Sequence, residues 1–182
     1  MKRLILLSSL VMSTATLAPD ARAQKMKSAA GDAGVSALRA MWQQQSTFLL
    51  RAAESMPDSD YAFRPVASVR TFGQIIGHVA GSQNLMCAGA LGEPSKSEDE
   101  IEKTMTTKVQ LVAALRASTE YCRRAYAQSD ASAARSTMLF GEKQSRMFAL
   151  ALNATHDGEH YGNVVTYFRI RGMTPPSSQP VP

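Results

Sequence analysis

The stretch KQSRMFALALNATHDGEHYGNVVTYFRIR, residues 143–171, predicts the longest helix of this chain and carries two of its 3 histidines. His156 and His160 are four residues apart, so on a helix they lie one turn apart on one face, where both rings can reach the same metal ion. Ala149 and Leu152 share that face, which marks it as the buried side of the helix. Three polar residues also fall on it: Asn153, Asn163 and Tyr167.

Three further segments, residues 34–56, 71–90 and 107–128, have the apolar periodicity of helices. The first has an apolar stripe with one polar residue, Gln45, in its middle. Residues 95–105 are polar and acidic and are predicted to be a crossover, and residues 129–137 are predicted to be a loop. Since no segment reads as a convincing strand, we predict an all-α fold, a four-helix bundle over residues 34–174.

The third histidine, His78, lies on the core-facing stripe of the second helix, with Ser82 on the same side. Three inward imidazoles from two helices would form a metal site with open coordination positions, as in catalytic zinc sites. Residues predicted to line a ligand are Gln45, Ser82, Asn153 and Asn163, and the candidate catalytic groups are Glu159 and Tyr167. The alternative is a bundle without metal, in which all three histidines are hydrogen-bonded core residues.

Residues 156–160 also match H-x-x-E-H, the pattern of inverted zinc proteases with Glu159 as the base. Those enzymes need a third, acidic ligand further along the chain. No Asp or Glu follows Glu159 in this sequence, so the protease interpretation is disfavoured.

Residues 1–23 have the pattern of a secretory signal peptide. Lys2 and Arg3 precede an apolar run, and Ala21-Arg22-Ala23 resembles a signal-peptidase site. The run is too short for a stable membrane anchor. We therefore expect an exported protein that is periplasmic, or otherwise outside the cytoplasm, in an oxidising compartment.

Removal of the signal leaves 159 residues and lowers the net charge from +5 to +3. The remaining chain has no dense basic run, so nothing in it indicates a nucleic-acid partner. Residues 24–33 are expected to be a flexible N-terminus, and residues 175–182 a proline-rich tail.

Glycines recur every four residues in two helices. Gly73, Gly77 and Gly81 accompany His78 and suggest that another backbone approaches closely there. Gly158 and Gly162 are expected on the outer face of the last helix, where they are either simply tolerated or form a homodimer contact.

Cys87 and Cys122 lie late in the second and third helices. If these helices run parallel, both thiols are at the same end of the bundle, and a disulfide can form in an oxidising compartment. The position of Cys87, opposite His78 on its helix, would then require a lateral neighbour.

Two blocks of sequence resemble the DinB-like (damage-inducible) superfamily. The first is Tyr61-Ala-Phe-Arg-Pro65 with Arg70-Thr-Phe-Gly-Gln-Ile-Ile-Gly-His-Val79. The second is Asn153-Ala-Thr-His-Asp-Gly-Glu-His-Tyr-Gly162, followed by Tyr167-Phe-Arg-Ile-Arg-Gly172 and Pro175-Pro176.

This resemblance implies an up-down-down-up bundle, with a nickel or zinc ion held by His78, His156 and His160. Relatives include metal-dependent thiol S-transferases and a maleylpyruvate isomerase. We therefore expect an exported metal-dependent enzyme, a hydrolase or thiol transferase that acts on a small molecule. The alternative is a non-catalytic envelope protein that binds a metal or a small ligand.

Overall fold

The computed structural model describes residues 32–180. The signal peptide predicted at residues 1–23 lies outside the described residues, as does nearly all of the N-terminal segment 24–33. Four long helices dominate: α1 (Ala33–Ser55), α2 (Phe72–Leu91), α4 (Lys108–Ala125) and α6 (Arg146–Ile170). The smaller elements are α3 (Glu100–Thr104), α5 (Asp130–Ala133), strands β1 (Ser136–Leu139) and β2 (Glu142–Ser145), and two 3-10 turns (Asp58–Asp60 and Pro176–Ser178).

Local sequence explains where the long helices start and stop. Thr71 caps α2 and Thr107 caps α4, each in a capping box with the glutamine three residues later. Ser145 caps α6 by accepting a hydrogen bond from the backbone N–H of Phe148. Gly92 caps the C-terminal end of α2 with a φ of 71°, a left-handed conformation that glycine adopts without the penalty of a side chain.

Contacts between the helices give their directions. Gln83 in α2 bonds to Ser118 in α4, and Cys87 further along α2 meets Cys122, so these helices run parallel. The beginning of α2 instead packs against the end of α6, where Phe72 contacts Phe168, so α2 and α6 are antiparallel. Parallel contacts between α1 and α6, Gly34 with Met147 and Phe48 with Tyr161, complete an up-down-down-up order. The predicted four-helix bundle is confirmed.

The interior contains two apolar clusters separated by a buried polar layer. One cluster lies at the end where α2 and α4 begin, and the other surrounds the stacked rings of Trp42 and Tyr126. Polar side chains buried between them include Ser82, Gln83 and Ser118, together with Asn153, Asp157 and two of the histidines, His78 and His160. A polar layer at mid-bundle is costly unless its groups are paired, so it is the natural place to look for a site.

The expectation that the chain has no strand is wrong. Strands β1 and β2 form an antiparallel hairpin, in a region predicted to be a loop running into the last helix. The turn residues Phe140 and Gly141 both have positive φ, 51° and 81°, as a tight hairpin turn requires. The four-residue strands gave no alternating pattern, because Leu139 alone has its side chain in the core.

None of the helices in the part of the chain that the structure describes has the length and apolar character needed to cross a bilayer.

A disulfide joins Cys87 of α2 to Cys122 of α4, with the two Cα atoms 5.3 Å apart. The parallel direction of these helices brings the two residues to the same level, and both lie buried in the Trp42–Tyr126 cluster. The bond closes a loop with a sequence separation of 35 that contains the whole crossover.

The cysteine-free variant Cys87→Ala/Cys122→Ala is expected to have a free energy of unfolding about 3–4 kcal/mol lower than that of the oxidised protein. Without the cross-link, the unfolded chain has more conformations available to it. Urea denaturation of the oxidised protein, the reduced protein and the variant measures this difference. The reduced wild-type protein is the control for packing changes caused by alanine. Equal midpoints for the oxidised and reduced forms would contradict the prediction.

Candidate metal centre

Helices α2 and α6 bring all three histidines together in the polar layer. The Nε2 atom of His156 is 3.2 Å from Nε2 of His78 and 3.1 Å from Nε2 of His160. One ligating nitrogen from each ring can be chosen so that all three lie within 4.8 Å of one another. His78 and His160 are buried and His156 is half-buried.

The three nitrogens fit a divalent ion. An ion held tetrahedrally at about 2.0–2.1 Å from each nitrogen would keep neighbouring nitrogens about 3.3 Å apart. Without a cation, the single proton or lone pair on Nε2 of His156 cannot satisfy both neighbouring rings. A bound ion uses the lone pairs of all three, so the site can hold a metal.

The histidines are neutral near pH 7 and therefore available as ligands. Burial, with a smaller contribution from the neighbouring His78, lowers the pKa of His156 to about 4. Burial likewise lowers the pKa of His160 to about 4, with an added contribution from His156. The pKa of His78 is also lowered, chiefly by burial and then by Arg70. Protons thus compete weakly with a metal for these rings.

Two carboxylates that the sequence did not single out flank His78. Glu98 Oε1 lies 3.9 Å from Nε2, on the side that faces the other histidines. Glu102 Oε2 lies 3.7 Å from Nδ1, on the opposite side of the ring, and its other oxygen accepts a hydrogen bond from Arg70 at 3.0 Å. Both carboxylates belong to the crossover between α2 and α4.

The glycines at every fourth position of α2 explain how the crossover can lie so close to this helix. A Cβ added to Gly77 would lie 2.9 Å from Cα of Glu102, and one added to Gly81 would lie 2.8 Å from the carbonyl carbon of Glu98. The close backbone anticipated from the glycine spacing is therefore the chain's own crossover. On α6, Gly158 lies against Gln45 whereas Gly162 is exposed, so the homodimer contact stays a prediction.

A cleft of about 740 Å³ opens beside His160. Polar groups on its walls include Arg70, Glu102, Glu159 and Asn163, and exposed Val66 and Val69 add apolar surface. Tyr167 also lines the cleft, and its hydroxyl donates a hydrogen bond to the backbone oxygen of Arg70. A small molecule in this cleft would therefore lie next to one of the candidate metal ligands.

The predicted site residues divide into two groups. Glu159, Asn163 and Tyr167 line the cleft. Ser82 lies behind His78 and donates a hydrogen bond to Glu98 at 2.7 Å. Like Ser82, the remaining two residues do not line the cleft: Asn153 bonds to the hydroxyl of Tyr126, and Gln45 packs against Gly158.

Asp157 lies between the two histidines in sequence but faces away from them. Its carboxyl group is fully buried and accepts a hydrogen bond from Gln83 at 2.8 Å. Gln83 in turn accepts hydrogen bonds from Ser118 and Thr119. Burial raises the pKa of Asp157 to about 8, so at pH 7 the carboxyl group is mainly neutral and belongs to the core.

The fold and the site together define a four-helix bundle with a cluster of three histidines that can hold a metal ion. A family model described as the DinB superfamily matches residues 37–164. The chain therefore belongs to the DinB superfamily, and the resemblance drawn from its sequence is confirmed. No curated protein matches this chain.

Several solved structures share the fold at low sequence identity. A DinB-like protein from Bacillus cereus ATCC 10987 has a TM-score of 0.66 and 14% identity, covering 76% of this chain and 93% of its own. YfiT from Bacillus subtilis, a probable metal-dependent hydrolase with an unusual four-helix bundle topology, has a TM-score of 0.57 and 16% identity, covering 90% and 95%. The mycothiol-dependent maleylpyruvate isomerase also has a TM-score of 0.57, with 13% identity over 80% and 78%.

Proposed function

We propose that this protein is an exported metal-dependent hydrolase of small molecules, with zinc or nickel held by His78, His156 and His160. The observation that carries the proposal is the convergence of three neutral imidazoles beside an open cleft. Three protein ligands leave coordination positions free, as catalytic sites require and closed structural sites do not. YfiT, whose fold this chain shares, is a probable metal-dependent hydrolase.

A bound divalent ion would supply a Lewis acid that lowers the pKa of a ligated water and gives a nucleophile near neutral pH. Glu159 immediately precedes His160 in the sequence and lies exposed in the cleft, where its carboxylate can exchange protons with substrate. Tyr167 directs its hydroxyl proton to Arg70, so the phenol oxygen is left as an acceptor and the wall of the cleft is fixed. Asn163 adds an amide that can orient a polar substrate.

Export is the second part of the proposal. It is supported by the signal-like residues 1–23 and by the disulfide, since such bonds persist in oxidising compartments. The same location argues against a thiol S-transferase, because low-molecular-weight thiol cofactors of the cytosol would be scarce there. The mycothiol-dependent isomerase shares the fold but gives no reason to prefer that chemistry.

The test uses the metal-loaded, disulfide-bonded protein purified from the periplasm. Elemental analysis should find about one zinc or nickel per chain, and chromogenic ester, amide and phosphoester panels should reveal turnover. The metal-free protein and Glu159→Gln are the controls, and both should be inactive. Turnover that appears only with an added thiol would favour the transferase. A bound metal with ligand binding but no turnover in any panel would favour a non-catalytic binding protein.

A further inference from the structure

Among the described residues, no Lys or Arg forms an ion pair with the carboxylate of Glu98. Its one basic neighbour within 4.0 Å among these residues is His78, whose Nε2 atom is 3.9 Å from Oε1. Ser82 donates a hydrogen bond to Oε1 at 2.7 Å, and 27% of the Glu98 side chain is exposed. A partly buried carboxylate that lacks a cationic side chain is stabilised if a bound cation supplies the missing charge.

Glu102, one turn further along the crossover, provides the contrast. Its carboxylate pairs with Arg70 at 3.0 Å, so its charge is already compensated. It lies on the Nδ1 side of His78, the usual position of the outer carboxylate that orients a metal-ligating histidine. Glu98 lies on the Nε2 side, where the other two histidines converge.

The position of Glu98 is built into α2. Gly81 allows the backbone of Glu98 to rest directly on the helix, and Ser82 holds the carboxylate. Zinc accepts carboxylate oxygens together with histidine nitrogens, and ligating carboxylates are themselves hydrogen-bonded, as this one is by Ser82. Glu98 is not among the residues that line the cleft, so its ligation would not fill the cleft.

We propose that Glu98 is the fourth protein ligand of the metal centre, supplied by the crossover rather than by the bundle helices. The inference rests on the proposed metal site. It makes the site a His₃Glu centre whose carboxylate offsets one of the two positive charges of the ion, and an ion that accepts a fifth ligand would keep a position for water. It also makes the crossover a functional part of the centre.

The experiment compares Glu98→Ala and Glu98→Gln with wild type, using zinc and cobalt(II) as the probes. Glu100→Gln is the matched control, since it removes one negative charge from an exposed position on the same crossover. Both Glu98 variants should bind zinc at least about 10- to 100-fold more weakly, the cost of losing even an outer partner of a metal site. Their cobalt(II) absorption spectra should change, whereas the control should match wild type in both readouts.

A further variant separates a ligand from a nearby charge. This variant is Glu98→Asp, because it keeps the charge and draws the carboxylate back by one methylene. If Glu98 is a ligand, Glu98→Asp should weaken zinc binding and change the cobalt(II) spectrum as Glu98→Gln does. If Glu98 acts only through its charge, Glu98→Asp matches wild type in both readouts and the proposal is overturned. Unchanged zinc affinity and spectrum in Glu98→Ala and Glu98→Gln would overturn it too. Absence of a metal in wild type would instead refute the proposed function itself.

Discussion

His156→Ala is expected to abolish stoichiometric metal binding. The Nε2 atom of His156 lies within 3.2 Å of the other two ligating nitrogens, and the other histidine on α6, His160, cannot replace it. In wild type, an ion at about 100 times its dissociation constant should raise the free energy of unfolding by about 2.7 kcal/mol, because it binds the native state. The variant should lose this gain, as measured by thermal unfolding with and without zinc.

The matched control is Glu159→Gln, a neighbouring exposed residue on the same helix. It should keep both the bound ion and the thermal shift, because Glu159 is not one of the clustered ligands. Circular dichroism and thiol titration show whether each variant folds with its disulfide formed. A folded His156→Ala variant that still binds one equivalent of zinc would show that the histidine cluster is not the metal site.

Gly81→Ala is expected to disrupt the metal centre without touching any histidine. The added Cβ would lie 2.8 Å from the carbonyl carbon of Glu98 and even closer to its oxygen, so the crossover must move away from α2. Overpacking of this kind typically costs about 1–3 kcal/mol. The carboxylate would also leave Ser82, so zinc affinity should fall along with the stability measured by urea denaturation.

Gly162→Ala is the control, because a Cβ at that position meets nothing within 4 Å. Alanine in a helix interior is favoured over glycine by about 0.5–1 kcal/mol, so this variant should be slightly more stable and bind zinc as wild type does. Comparable behaviour of the two alanine variants would show that the crossover does not rest on Gly81.

Local periodicity predicted the part of the site that depends on one helix at a time. The spacing of His156 and His160, and the core-facing position of His78, follow from the helical repeat. The repeat gives the direction of a side chain around a helix but not what lies opposite it. Asn153 shares the histidine face, yet one turn earlier on the helix its amide donates a hydrogen bond to the hydroxyl of Tyr126, the residue that follows α4.

Contacts across the chain were harder to predict. The sequence of residues 95–105 shows acidity and a lack of apolar periodicity, and nothing in it says which carboxylate will reach His78. The one available signal was the glycine spacing on α2, which indicated a close backbone without identifying it. Similarly, Gln45 lies on the core-facing stripe of α1, but it contacts α6 at Gly158, away from the face that carries the histidines.

The parallel direction of α2 and α4 has a consequence for how such a protein can diversify. A chain that leaves the end of one helix and must begin the next beside it has to travel back along the bundle, about 30 Å for a 20-residue helix. Here that return path passes over His78. Insertions and substitutions along it can change the groups around an ion while the four helices and their core remain intact, so new chemistry can be acquired at little cost to folding.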